Sequence, residues 1–81
     1  MQKVLLIRAE WFGDVDVWSA TSDDVPGLAT EADSIENLFN KLGSMIPELL
    51  AANKVDCPSE ILYEVVAHKV ATTHMPSEVQ S

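Results

Sequence analysis

Val17-Trp18-Ser19-Ala20-Thr21-Ser22-Asp23-Asp24-Val25-Pro26-Gly27-Leu28-Ala29-Thr30-Glu31-Ala32-Asp33-Ser34 decides the fold of this 81-residue chain. The stretch runs strand, corner, short strand, helix start. Pro26 fixes φ at the value a turn wants in its second position, and Gly27 tolerates positive φ in the third. The corner therefore joins a strand over residues 15–22 to a short strand over residues 28–32. Connections this short make sequential strands neighbours in a meander.

Upstream, residues 3–11 start apolar on both faces and then alternate. Ile7, Ala9 and Trp11 fall on one side, Arg8 and Glu10 on the other, as in a strand with one buried face. Phe12-Gly13-Asp14 reads as the turn closing a hairpin, with Gly13 available for positive φ. In the second strand Trp18 and Ala20 are placed on the core face, where a small alanine lets a helix approach. The competing register points Val15 and Val17 inward, and a slip of one residue flips every side chain.

Downstream, Ile35, Leu38, Phe39, Leu42, Met45, Ile46, Leu49 and Leu50 form the stripe of an amphipathic helix. Asp33 is preferred as its cap, with Glu36 closing a capping box, and Ser34 is the alternative. A helix over residues 34–52 measures roughly 28 Å, and an eight-residue strand about 26 Å, so one helix can cover the sheet. Pro47 removes the hydrogen bond to the Gly43 carbonyl. A kink near residues 43–47 is expected, the alternative being a break and a new helical turn. Asn53 is a suitable helix end. Residues 60–71 favour a fourth strand through Tyr63, Val65, Val66 and Val70, with a helical reading open. Its place in the sheet is not fixed by the pattern. Residues 72–81 have the composition of a disordered tail. The expected architecture is α+β: a two-layer β-β-β-α-β domain over residues 1–71, with an antiparallel three-stranded meander covered on one face by a single kinked helix, plus a C-terminal strand.

The net charge is −8, from 13 acidic and 5 basic side chains. Phosphate backbones are bound with lysine and arginine, so direct nucleic-acid binding is not expected. An acidic surface speeds encounter with a basic partner. Its plainer role is solubility. The lone Cys57 excludes an internal disulfide and fits a reducing cytoplasm. The apolar run Val4-Leu5-Leu6-Ile7 is too short for a signal segment or a membrane span. A domain this small gains stability by oligomerising, so a homodimer or higher homo-oligomer is expected.

Catalytic chemistry is not evident. Cys57, His68 and His74 fit no zinc spacing, and no third group orients a Cys57-His68 pair. Gly13, Gly27 and Gly43 are isolated, so no phosphate-cradling loop exists. No metal, no cofactor and no enzymatic activity are expected. Asp14, Asp16, Asp23 and Asp24 lack the spacing of a calcium loop and serve turns or meet a partner. Trp11, Trp18 and Phe39 belong first to the core. Trp11 is also a candidate for an exposed contact. The candidate partner-binding residues are thus Asp14, Asp16, Asp23, Asp24 and Trp11.

The run from Ala20 through Asp24-Val25-Pro26-Gly27-Leu28 to Asp33-Ser34-Ile35-Glu36-Asn37-Leu38 resembles the HicB-like antitoxin superfamily. With Val17-Trp18 before it and Ile46-Pro47-Glu48-Leu49-Leu50-Ala51-Ala52-Asn53 after it, the chain is similar to a subgroup of short bacterial proteins of uncharacterised function. The resemblance spans roughly residues 3–55. It implies a three-stranded meander, a helix and a further strand. It also implies neutralisation of a small basic toxin, a HicA-like mRNA interferase, by covering its RNA-binding surface. The DNA-binding C-terminal domain of many such antitoxins has no counterpart in the polar stretch after the fourth strand. Two functions compete: an antitoxin-type binding protein, and a stand-alone homo-oligomeric scaffold or small-ligand binder.

Overall fold

A computed structural model describes residues 3–56 and 59–76. Its elements are β1 (Val4–Phe12), β2 (Val17–Thr21), β3 (Ala29–Ala32), α1 (Ile35–Ala52) and β4 (Leu62–His68). They form one mixed sheet in the order β3-β2-β1-β4, antiparallel except for the parallel pair β1 and β4. The chain makes the expected meander, crosses over it as α1, and returns beside β1 at the opposite edge from β3.

The faces follow from side-chain alternation. Ile7, Ala9, Ala20 and Ala32 point to the helix layer and are buried. From α1, Leu38, Leu42, Ile46 and Leu50 meet them. The alanines matter because their short side chains bring the helix close to the strands. Trp18 packs against this core, so the register with Trp18 and Ala20 inward is the correct one. Val15 is exposed in the turn. Phe39 departs from expectation: it lies on the helix flank, 41% exposed, with its ring 6.1 Å from that of Tyr63.

Local chemistry explains the corners. Leu28 donates its N–H to the Val25 carbonyl across Pro26-Gly27, and Gly27 has φ +79°, as a type II turn requires. Ser34, not Asp33, caps α1. Ser34 is extended (φ −146°, ψ 159°) and its hydroxyl accepts from the Asn37 N–H. Asp33 stands one residue too early to reach that N–H, and its carboxylate accepts instead from the Asn37 side chain at 2.6 Å. The hairpin turn also differs from expectation. Phe12 stays in β1, and the left-handed residue is Asp16 (φ 53°) rather than Gly13. Aspartate tolerates that region through local hydrogen bonding.

The helix runs on through Pro47 without a break. Pro47 is exposed, so its ring enters no packed interior. At the other end Asn53 is the C-cap, with Lys54 left-handed (φ 56°). Val55 and Lys54 donate to the carbonyls of Leu50 and Ala51, the paired bonds of a Schellman ending. The Asn53 amide donates to Leu49 and also bridges to the Pro26 carbonyl, tying the helix end to the corner.

Candidate binding surface

The candidate residues do not converge. Asp14 and Asp16 occupy the β1–β2 turn, and Asp23 and Asp24 follow β2 at the opposite end of the sheet. Five residues of β2 at about 3.3 Å each separate the two pairs. Trp11 points to the helix side, stacked at 5.4 Å and 59° against Trp18, with the Lys69 ammonium 4.4 Å from its ring centroid.

The second aspartate pair is already engaged. β2 stops pairing at Thr21, opposite Arg8, so the backbone of Leu6 has no strand neighbour on that side. Side chains take over the ladder. Asp24 accepts from the Leu6 N–H at 2.9 Å, and the Ser22 hydroxyl donates to the Leu6 carbonyl at 2.6 Å. Ser22 also accepts from the N–H groups of Asp24 and Val25. The Leu6 N–H, with Lys3 at 3.4 Å, holds the Asp24 carboxyl below the usual carboxylate range. Asp23 pairs with Arg8 at 2.7 Å, and this hydrogen bond raises the arginine pKa further. Asp23 and Asp24 thus fasten the corner to β1.

What remains uncovered, among the described residues, is the sheet face opposite α1. β1 presents Val4, Leu6, Arg8, Glu10 and Phe12 there; β4 presents Leu62, Glu64, Val66 and His68. The parallel register sets Val4 beside Leu62 and Leu6 beside Glu64. Val4, Leu6, Leu62 and Val66 are each between 37% and 50% exposed, which makes an apolar stripe rather than scattered contacts. Charged side chains share the face: Glu64 lies beside Leu6 and Arg8 beside Val66, with Glu10 further along β1 and Glu31 on β3. Such a face can take a partner of mixed apolar and basic character. The sequence carried a sign of this face, since β1 begins apolar on both sides.

No cluster of three or more His, Cys, Asp or Glu side chains forms among the described residues. Cys57 lies outside them. No described helix is long and apolar enough to cross a membrane.

Residues 4–77 match a domain of unknown function, DUF1902. The chain is also similar to a solved structure, the hypothetical protein TTHA1013 from the extremely thermophilic bacterium Thermus thermophilus. The two are 42% identical with a TM-score of 0.69, over 90% of this chain and 100% of the other. No curated protein matches the sequence.

Proposed function

The chain belongs to the DUF1902 family, and we propose that it is a non-enzymatic binding protein of antitoxin type, whose partner is a small basic toxin of the HicA-like kind. The observation that carries this reading is the uncovered sheet face, where exposed Val4, Leu6, Leu62 and Val66 lie among the carboxylates of Glu10, Glu31 and Glu64. The apolar stripe supplies burial, and the carboxylates steer and select a cationic surface. The net charge of −8 acts in the same direction at longer range. Resemblance of the Asp24-Val25-Pro26-Gly27-Leu28 corner and helix start to HicB-like antitoxins supplies the partner class.

Within this reading the contact is taken to be the open face together with the hairpin turn. Asp14 and Asp16 remain available at the hairpin turn. Asp23 and Asp24 serve the corner, and Trp11 faces the helix layer.

The test is co-expression with a small basic protein encoded beside this gene, followed by capture and a growth-rescue assay. The wild-type chain is expected to capture the basic protein and relieve growth arrest. A double substitution on the open face, Leu6→Glu with Val66→Glu, is expected to weaken binding by about 2 kcal/mol or more, the level of an interface hot spot. The helix layer and its core are untouched by these changes. Failure to recover a basic protein, or unchanged binding by the double variant, overturns the reading.

A further inference from the structure

The body of this domain cannot account for its length. The molecule extends 62 × 28 × 19 Å with a radius of gyration of 17.1 Å, whereas a compact chain of this size has a radius near 12 Å. Nine-residue β1 spans about 30 Å, and α1 about 27 Å. The balance lies in residues 69–76, which follow β4 without helix, strand or turn. Eight extended residues would span about 26 Å, most of the difference. The segment follows β4 as an exposed arm outside the sheet.

Every residue of this arm is exposed. Val70 is 94% exposed and Met75 65%. Lys69, at its root, lies over the Trp11 ring. The arm also differs in charge from the rest. Lys69-Val70-Ala71-Thr72-Thr73-His74-Met75-Pro76 contains no carboxylate side chain, in a chain whose net charge is −8. Beside it, β4 is an edge strand whose outer backbone groups face no other strand among the described residues. An unprotected edge is a template for another chain.

We propose that the arm is a dimerisation element: β4 and residues 69–76 of two copies pair antiparallel about a twofold axis normal to the sheet. Each arm then runs along the β4 edge of the other copy, where Glu64 supplies the carboxylate that the arm lacks. Val70 and Met75 become covered, and both open edges vanish at once. The two sheets join into one of eight strands with both helices on the same side. The two open faces become one continuous surface on the other side. The β3 edges and the hairpin turns stay outside the contact. The arrangement uses the β4 edge and shares Glu64 with the face assigned to a basic partner; self-association is measured with no partner present, so its failure is distinguishable from failure to capture a basic protein.

The test is self-association of the purified full chain with no partner present. Sedimentation equilibrium is expected to show a dimer. Truncation after Lys69, and the substitutions Val70→Pro and Thr72→Pro, are expected to weaken association at least about 100-fold. Proline removes a ladder N–H, and both positions are exposed outside the sheet, so circular dichroism is expected to remain native. Hydrogen exchange on the wild-type chain gives a variant-free readout, with the arm and β4 amides gaining protection as protein concentration rises. A full chain that is monomeric at high micromolar concentration overturns the proposal. So does a truncated chain that remains a dimer, or an arm whose amides exchange freely at every concentration.

Discussion

Replacing Ser22 with alanine tests the joint on which the meander turns. The hydroxyl donates to the Leu6 carbonyl at 2.6 Å and accepts from the N–H groups of Asp24 at 3.0 Å and Val25 at 3.3 Å. A net intramolecular hydrogen bond contributes about 1 kcal/mol, less when long or open to water. The Leu6 carbonyl sits at the sheet surface, where water can replace the serine. Val25 is fully buried, so its N–H is harder to rehydrate. Together the three bonds set an expected loss of about 2 kcal/mol. For a domain of this size that lowers Tm by about 10 °C. Urea unfolding followed by circular dichroism, at one protein concentration for all variants, measures it, since self-association adds to apparent stability. Ser22→Thr keeps the hydroxyl and is expected to recover most of the loss. A Ser22→Ala loss below about 0.5 kcal/mol, within the range of an ordinary surface change, would refute the view that side chains replace the missing ladder here.

Ser34→Ala is expected to cost about 1 kcal/mol as the loss of a helix cap, and Asp33→Ala less than half as much; equal losses in thermal unfolding would restore Asp33 as the cap. Gly27→Ala is expected to cost at least about 1 kcal/mol because φ is positive. The space there is adequate, with Leu49 Cδ2 3.7 Å from an added Cβ, so Gly27→Asn is expected to cost less than alanine, and a larger cost for Asn would point to crowding instead. Asp24 titrates lower in the folded chain than in the unfolded one. Its contribution is complete above the ordinary carboxylate pKa of about 3.9 and is lost as pH falls through the depressed folded value. Asp24→Asn is therefore expected to flatten part of the acid limb of a stability curve measured from about pH 6 to about pH 2; an unchanged limb contradicts this.

The alternation of Ile7, Ala9 and Trp11 and the spacing from Ile35 to Leu50 are local signals, and they determined the first strand, the helix and the buried side of each, whereas the register of β2 was decided by the packing of Trp18 and Ala20 under the helix. Pro26 and Gly27 determined the corner because their φ values need no neighbour to set them. Local pattern could not choose between Asp33 and Ser34, since both are good caps and the choice rests on which one is extended as the chain leaves β3. Nor could it show that Asp23 and Asp24 would be engaged by Arg8, Lys3 and the Leu6 N–H, all at least 15 residues away. The place of β4 belonged wholly to the tertiary structure. A strand's residues report which side is buried, but not which strand lies beside it. Two rows of unpaired backbone groups bordered the meander, the outer edges of β3 and β1, and β4 lies parallel along that of β1. That docking created the stripe of Val4, Leu6, Leu62 and Val66 from segments that, in the unfolded chain, lie more than fifty residues apart.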